Sequence, residues 1–515
     1  MTACIRSIVL ASICWSAAAL YSQPVAKTPV EIGGDRQLFL DDQLLDMEQS
    51  RGVSLTLNPP QNIHRVLKPE TPWEALGFIF YCSVVEDGGE AKLYYGTYDA
   101  EKKRHLCLAT SADGQHWQRP NLGLRMFQGG KSNNLMTFDA IEASVFIDPH
   151  APPEKRYRLP LTRYWPDPAK AGMYMASSAD GIHWQMGEQR LLPFIPDSQP
   201  SALWDEDLRN YVIYLRAWDP IRTIARVAVP DLEAPWPYDA SVTPYEVWGK
   251  GKIPTLSREL PRVMAPDAQD PENLQLYTSV ITRYPYAPGL YIAFPAAYRL
   301  YLGPNWASRA VNTNDGTFDI QFAASRDGIA WHRWRQPYVS AGLHEDLELK
   351  LVSMGPGFVR RGPWLYQYFV GWTATHGQPV VWDKDRMKRI EAMNTDLGGI
   401  YCAAQRVDGF VSMDAGSDPG TLITRPLMFK GGRLLLNIHT AGIGSARVSL
   451  LGPDDIPVPG FSDADCDPIC ADAIDHEVRW KSNASLEALA GKPVRLQFSL
   501  QNAKLYALQF APVVK

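Results

Sequence analysis

Ser111-Ala-Asp113-Gly114-Gln-His-Trp117 is a stretch that recurs along the chain, and it decides the fold class. It returns as Ser178-Ala-Asp180-Gly181-Ile-His-Trp184 and as Ser325-Arg-Asp327-Gly328-Ile-Ala-Trp331. Each copy follows a segment of alternating polarity, and Asp-Gly between two strands is the strongest short signal for a β-hairpin. The repeat therefore predicts a series of similar antiparallel sheets.

Two degenerate copies extend the series. Val229-Pro-Asp231 leads to Trp236 between the second and third clear copies, and Val407-Asp408-Gly409-Phe410 comes last. Five ordered hairpins predict five four-stranded blades, which is a five-bladed β-propeller. Because the same Asp and Trp recur from blade to blade, we interpret them as turn and packing residues. A residue needed once for chemistry would not repeat in this way.

The pattern of the sequence changes after Asp414, where short segments of alternating polar and apolar residues are separated by residues typical of turns. These segments predict an antiparallel β-sandwich that follows the propeller. The predicted division is a signal peptide over residues 1–22, a propeller over 30–414 and a sandwich over 420–515. We expect the sandwich to serve structural support or accessory sugar binding.

The N-terminus has the pattern of a secretory signal peptide. Arg6 precedes an apolar run from Ile8 to Leu20, and small residues lie near the end of that run. Cys14 offers a lipoprotein anchor as an alternative. No later run is long enough to span a bilayer, so we expect a secreted or periplasmic protein without membrane insertion.

Composition excludes some classes of protein. The 515 residues are 45% hydrophobic, which is enough to bury sizeable cores, and the formal net charge of -5 argues against binding to nucleic acid. Neither a metal nor a cofactor is predicted, and the oligomeric state is left open. Beyond the leader an odd number of cysteines rules out a disulfide scaffold, although a short loop bridge between the last two is considered: Cys82, Cys107, Cys402, Cys466 and Cys470.

The first strand of each blade should line the central channel, and alignment on the hairpins locates the five entrances to those strands. Every entrance carries a carboxylate. The entrances are Glu70 to Glu74, Asp139 to Glu142, the segment that begins at Asp197, Asp267 to Glu272, and His344 to Glu348.

Carboxylates that face one another in a funnel suit glycosidic cleavage, which generally requires one protonated and one ionised carboxyl beside the bond. Proximity shifts the pKa values of such a pair apart. We predict Asp197, Glu142 and Glu348 as the catalytic residues. Asp197 lies in a short polar segment between two apolar ones. Glu142 directly precedes the first strand of the second blade, and Glu348 lies between two leucines.

Five further residues are predicted to bind substrate: Trp73, Glu74, Arg216, Asp270 and His376. Trp73 offers an aromatic face to a sugar ring beside Glu74. Arg216 ends a strand and would clamp a carboxylate or sulfate, with a salt bridge to a neighbouring blade as the alternative. His376 lies in a loop beyond a strand of the fifth blade, and Asp270 belongs to the fourth entrance.

With these residues in view, the chain resembles a family of exported bacterial proteins labelled glycosyl hydrolase family 32-like. The segments that carry the resemblance are Gln37-Leu-Phe-Leu-Asp-Asp42, Lys68-Pro-Glu-Thr-Pro-Trp-Glu74, Asp197-Ser-Gln, Val478-Arg-Trp480-Lys and Gly491-Lys-Pro-Val-Arg-Leu. The resemblance implies a five-bladed propeller related to the furanosidase clan, with three carboxylates from separate blades in the site. The Asn-Asp-Pro-Asn start of invertase-type enzymes is missing, so individual residue roles are not carried over.

Together these features predict a secreted glycoside hydrolase that acts on a complex polysaccharide or its oligosaccharides, with anionic ones among the candidates. A non-catalytic carbohydrate-binding propeller is the alternative. A polysaccharide lyase is a third reading, and it would need a base beside a neutralised uronate. His376 with Arg216 is the pair that the sequence offers for that chemistry.

Overall fold

The fold is all-β, as the sequence predicts. The structure is a computed structural model, and it describes residues 28–140, 142, 144–164, 167, 170–193, 195–218, 221–237, 244–246, 252–254, 260–302, 314–377, 396–481 and 485–513. The helices within these ranges are the 3-10 turns Pro72–Glu74, Pro153–Lys155 and Glu487–Leu489. None of the described helices is long and apolar enough to cross a membrane. The predicted signal peptide lies outside the described residues.

Three antiparallel sheets occupy the first half of the chain, and we number them in chain order. Sheet I contains Phe78–Asp87, Glu90–Tyr98 and Arg104–Ser111, and isolated bridges add Gln118 and Leu135 at its outer edge. Sheet II contains Phe146–Ile147, Tyr157–Arg163, Gly172–Ser178 and Trp184–Met186. Sheet III contains Ser201–Asp205, Asn210–Trp218, Arg222–Val229 and Arg262–Met264.

Two more groups of strands follow, which we number sheets IV and V although a parallel bridge between Phe318 and Leu351 joins them into one eleven-stranded sheet. Sheet IV contains Leu274–Leu276, Ile281–Arg283, Tyr291–Ala293, Ala296–Leu300, Gly316–Ser325 and His332–Val339. Sheet V contains Leu351–Met354, Val359–Arg361, Trp364–Trp372, Gly398–Arg406 and, as its outer strand, the distant segment Gln61–Leu67. Two small hairpins lie outside these sheets, Pro244–Glu246 with Lys252–Pro254 and Gly342–His344 with Leu347–Leu349.

The first strands of the five sheets surround one channel. Backbone amides join neighbouring sheets there: Val145 donates to Ser83 Oγ at 3.0 Å, Ile281 to Ser201 Oγ at 3.0 Å, and Val84 to the carbonyl of Pro356 at 2.9 Å. A cavity of about 280 Å³ is lined by segments of all five sheets. The sheets are arranged as in a β-propeller, and the count of five blades stays a prediction from the repeat.

The repeated Asp-Gly turns fasten each blade to its neighbour. Asp113 Oδ1 accepts hydrogen bonds from the amides of Gln115 and His116, both at 2.8 Å, which fixes the turn. The Tyr368 hydroxyl then donates to the carbonyl of Gly114 at 2.6 Å. The same bond joins Tyr94 to Gly181 and Tyr214 to Gly328, each at 2.9 Å. These contacts give the repeated residues turn and packing roles.

The last, degenerate copy of the repeat leads out of the propeller. Asp408 is buried and accepts hydrogen bonds from the Tyr284 hydroxyl at 2.8 Å and from Arg36 Nε at 2.5 Å. The chain then enters Val411–Ala415, which belongs to another sheet. Because the chain leaves sheet V at this point, Gln61–Leu67 supplies the outer strand of that sheet instead.

Sheet VI forms the second part of the structure. Its strands are Gln37–Leu38, Val53–Leu57, Val411–Ala415, Gly420–Ile423, Arg433–Leu451, Asp472–Glu477 and Arg495–Ala511. The two long strands pair along most of their length, with a register shift between Thr440 and Ser445. Val30–Gly33 pairs in parallel with Leu427–Phe429 beside this sheet. One apolar core joins side chains from the two ends of the chain, such as Phe39 and Phe498.

Strand pairing divides the chain differently from the sequence prediction. Residues 30–57, which the sequence assigns to the propeller, pair with strands of the C-terminal region. Cys466 and Cys470 correct a second expectation, because both are free thiols and the loop bridge is not formed. Cys466 is buried in the core and Cys470 is exposed, so the two sulfurs occupy different environments.

Candidate active site

Two of the three predicted catalytic carboxylates meet at one tyrosine. Glu142 and Asp197 lie on the segments that precede the first strands of sheets II and III, and Tyr164 follows the second strand of sheet II. The Tyr164 hydroxyl lies 2.7 Å from Glu142 Oε1 and 3.2 Å from Asp197 Oδ1. A phenol has one proton to donate. The hydroxyl therefore donates to one carboxyl oxygen at a time, and the shorter of the two contacts is the one to Glu142.

Glu142 is the carboxyl of this pair that retains its proton to higher pH. Its side chain is buried, and burial raises its pKa to about 7, while the Tyr164 hydrogen bond and the charge of Arg104 act in the opposite direction. Asp197 adds a smaller upward effect because two nearby negative charges repel. Glu142 Oε2 has no hydrogen-bond partner in the described part of the chain. Arg104 lies over the Tyr164 ring, 5.5 Å from its centroid.

Asp197 is held as an ion-paired carboxylate at the edge of the site. Its side chain is 24% exposed, and Arg216 Nη2 lies 3.1 Å from Oδ2. Arg216 Nε also donates to the carbonyl of Pro196 at 3.1 Å. The following residues anchor the loop, because Ser198 donates to the carbonyl of Tyr277 at 3.1 Å and Gln199 donates to that of Cys82 at 2.9 Å. The loop is thereby tied to sheets I, III and IV.

Arg216 and Arg222 lie side by side on sheet III. Strand pairing sets Trp218 opposite Arg222, so these two residues and Arg216 share one face of the sheet. Both guanidinium groups lie over the Tyr277 ring, with carbon-to-centroid distances of 4.3 Å for Arg216 and 5.2 Å for Arg222. Arg222 donates to two amide oxygens, Gln275 Oε1 at 2.6 Å and Asn314 Oδ1 at 2.8 Å.

His376 joins this cluster as a neutral imidazole. Its Nδ1 lies 2.8 Å from the carbonyl of Asn314, so Nδ1 carries the proton and Nε2 accepts from the Tyr277 hydroxyl at 3.0 Å. The ring stacks on Phe80 with a centroid distance of 6.0 Å. Burial, with smaller contributions from the charges of Arg222 and Arg216, lowers the pKa of His376 to about 4. At neutral pH this histidine therefore adds no charge to the site.

Glu348, the third predicted catalytic residue, is not part of this constellation. It lies in the short hairpin Gly342–His344 with Leu347–Leu349, where its side chain is 67% exposed and pairs with Lys350. The two neighbouring leucines suggested an inward carboxylate. The strand alternates its side chains, however, so the buried partner is Leu349 and Glu348 points to solvent.

Trp73, Glu74 and Asp270 have structural partners of their own. Glu74 is fully buried and accepts from the Glu70 amide at 3.0 Å, from Tyr95 at 2.9 Å and from Arg119 at 2.9 Å. Trp73 Nε1 donates to Asn134 Oδ1 at 2.9 Å. Asp270 is buried, pairs with Arg333 and accepts from the Asp267 amide at 2.9 Å. These contacts give each of the three residues a partner within the protein, and their role in substrate binding stays a prediction.

The sequence prediction missed Tyr164, Tyr277, Arg104 and Arg222. The position of these residues in their strands could have indicated them. In an antiparallel sheet, one strand ends at the same edge at which the next strand begins. The end of each second strand and the start of each third strand therefore lie beside the entrance of the first. Tyr164 follows a second strand, and Arg104 and Arg222 begin third strands. Among the described residues no group of three or more His, Cys, Asp or Glu side chains is arranged to hold a metal ion.

Comparison with known proteins gives structural neighbours only. No protein-family model and no curated protein matches the chain. A glycosyl hydrolase from Bacteroides ovatus is 13% identical, with a TM-score of 0.40 over 73% of this chain and 99% of that one. A β-1,2-mannobiose phosphorylase from Listeria innocua is 11% identical, with a TM-score of 0.40 over 67% and 97%. A thermostable family-43 glycoside hydrolase is 13% identical, with a TM-score of 0.38 over 66% and 93%.

These neighbours are glycoside hydrolases and phosphorylases.

Proposed function

We propose that this chain is an exported glycoside hydrolase in which Glu142 is the general acid and Asp197 the nucleophile or base. The observation that carries the proposal is the single phenol oxygen of Tyr164 within hydrogen-bond reach of both carboxyls. A pair that shares one proton supplies the two protonation states that glycosidic cleavage uses. The membership in the glycosyl hydrolase family 32-like group and the export by residues 1–22 are parts of the same proposal.

The geometry favours the retaining mechanism. Because the two hydrogen bonds share the Tyr164 oxygen, the nearest oxygens of Glu142 and Asp197 are at most about 6 Å apart, nearer the spacing of retaining enzymes than that of inverting ones. In the first step Asp197 would attack the anomeric carbon while Glu142 protonates the departing oxygen. In the second step Glu142 would take a proton from water, which displaces the Asp197 ester. Tyr164 serves as a positioning residue throughout.

Glu142 Oε2 is the oxygen that this mechanism assigns to the leaving group. Oε1 is engaged by Tyr164, while Oε2 has no partner within the described residues. Because Glu142 is only 1% exposed, substrate must displace neighbouring side chains to reach it. Asp197 is the more accessible of the two, which suits the group that attacks the sugar.

The test is a screen of oligosaccharides with the wild type, followed by amide variants on any substrate found. We expect Glu142→Gln and Asp197→Asn each to lower kcat by at least about 100-fold while the fold persists. The matched control is Glu348→Gln, an exposed carboxylate outside the site, which should keep wild-type turnover. Wild-type turnover in both site variants would refute the assignment. Binding of glycans without cleavage would favour the non-catalytic carbohydrate-binding alternative.

A polysaccharide lyase is a second candidate, because one contact favours it. Tyr277 and His376 lie 3.0 Å apart, and both arginines lie over the Tyr277 ring. A lyase would use one of these two groups as the base and an arginine to neutralise the uronate. The two reactions differ in their products. Cleavage by a lyase creates an unsaturated ultraviolet chromophore and would be abolished by Tyr277→Phe, whereas hydrolysis creates none.

A further inference from the structure

Three N–H donors on one face of sheet III have no acceptor among the described residues. They are Arg216 Nη1, Trp218 Nε1 and Arg222 Nε. The three side chains are contiguous: the guanidinium carbons of Arg222 and Arg216 lie 4.3 and 5.2 Å from the centroid of the Trp218 ring. Leaving a buried donor without an acceptor costs about 1–3 kcal/mol, and more when the donor is charged. A cluster of such donors indicates a missing ligand that only accepts hydrogen bonds.

The charges of the cluster point the same way. Arg216 and Arg222 are 2% and 3% exposed, so both cations are withdrawn from water. Within the described part of the chain, Arg216 forms an ion pair with Asp197, and Arg222 forms none. Among the described residues Arg222 donates its hydrogen bonds to two neutral amides, and burial together with the charge of Arg216 lowers its pKa to about 10. One more negative charge would balance this site.

We propose that the face formed by Arg216, Trp218 and Arg222 is a subsite for an anionic group on the sugar, either a uronate carboxylate or a sulfate ester. Both groups accept hydrogen bonds without donating any, and both match the planar fork of a guanidinium. Asp197 pairs with Arg216, so the subsite adjoins the catalytic pair. The inference rests on the proposed function and adds its substrate class: the glycan is acidic, and its charged residue binds next to the cleaved bond.

Binding of monosaccharides tests the subsite without any need for turnover. We would titrate the full chain at low ionic strength by calorimetry with glucuronate, galacturonate and glucose 6-sulfate, and with glucose and galactose as uncharged counterparts. We expect at least one charged sugar to bind at least about ten times more tightly than its neutral counterpart. A preference for the uronates identifies the carboxylate as the ligand, and a preference for the sulfated sugar identifies the sulfate ester. Equal affinity for charged and neutral sugars, or no binding of either charged class, would overturn the proposal.

Variants locate the binding site on the protein. Arg222→Gln should weaken binding of the charged sugar at least about tenfold, because it removes a cation and its planar donors. The matched control is Arg226→Gln, which changes an arginine of the same strand that pairs with Asp205 instead. It should bind the charged sugar as the wild type does. Wild-type affinity in Arg222→Gln would refute the assignment. If that variant fails to fold, Arg222→Lys keeps the charge, and retention of full affinity there would contradict recognition by the guanidinium fork.

Binding and cleavage separate the two proposals. Binding of the charged sugar by the wild type depends on the three donors and not on cleavage, so it is expected whatever the reaction is. Selective binding of charged sugars without hydrolysis of acidic oligosaccharides would leave the subsite standing and refute the hydrolase. Hydrolysis of neutral glycans with no preference for acidic ones would support the hydrolase and refute the anionic subsite.

Discussion

Glu142 offers a prediction that needs no substrate. Its pKa of about 7 in the folded chain compares with an ordinary value of 4.5. Between these two values the folded protein holds a proton on Glu142 that the unfolded chain has released. Stability contributed by this group is therefore present below about pH 4.5 and is lost as the pH rises to about 7. The loss amounts to about 3 kcal/mol, because the carboxyl is buried and each pKa unit is worth about 1.4 kcal/mol.

The assay compares the free energy of unfolding of the wild type and Glu142→Gln by denaturant titration between about pH 4 and about pH 8. Glutamine does not titrate, so the stability of the variant relative to the wild type should rise by about 3 kcal/mol across this window and level off above it. Any cost of the amide itself is independent of pH and cancels in the trend. Glu348→Gln is the control and should give a flat difference, because that side chain is exposed. A flat or falling difference for Glu142→Gln would show that the buried carboxyl does not hold its proton.

Two further predictions concern the scaffold. Gly181→Ala should destabilise the fold by about 1–3 kcal/mol in thermal or chemical denaturation, because the new methyl group would overlap the Tyr94 hydroxyl at the contact between blades. Gly88→Ala, also at a positive φ but with no atom within 4 Å of the new group, should cost less, and equal losses would contradict the packing argument. Glu74→Gln should cost about 3–5 kcal/mol by breaking a buried pair with Arg119. Its turnover per folded molecule should match the wild type, and a specific loss of turnover would return Glu74 to the substrate site.

The repeated turns could be predicted because their determinants are local. The Asp113 carboxylate binds amides two and three residues away, which fixes the hairpin within a few residues of sequence. The partner of the turn was not visible, because Tyr368 reaches Gly114 across 254 positions of the chain. Local hydrogen bonding thus identifies the repeated hairpin, while the contact that joins two hairpin-bearing sheets depends on how distant parts of the chain pack together.

The ends of the chain were harder to place for the same reason. Gln61–Leu67 alternates like any strand, and nothing within it indicates that it pairs with Gly398–Arg406. Residues 30–57 likewise carry no sign that their partners follow residue 410. Strand propensity predicts that a segment is extended, but the choice of partner is made by packing across the whole fold.

In the candidate site, too, some features follow from the local sequence and others only from the fold. Alignment of the blades brought out Glu142 and Asp197, since position at a strand entrance is a property of the local sequence. Whether an entrance carboxylate faces the channel depends on its partners. Glu74 forms a buried ion pair with Arg119, and Glu348 pairs with Lys350 at the exposed surface. Tyr164 was missed because its two partners lie 22 and 33 positions away and are brought to it by the fold.

Two residues with unusual backbone angles lie beside the proposed subsite. Asp197 has φ +52°, and Val280 has φ +43°, a conformation that is a genuine outlier for a β-branched residue. The two lie on segments joined by the hydrogen bond from Ser198 to the carbonyl of Tyr277. Residues in sparsely populated backbone regions cost about 1–3 kcal/mol each and persist only where surrounding contacts hold them. The cluster of donors without acceptors adjoins the same segments. Neither backbone strain nor unpaired donors stabilise the fold, so their coincidence at Asp197 agrees with the proposal that a ligand binds there.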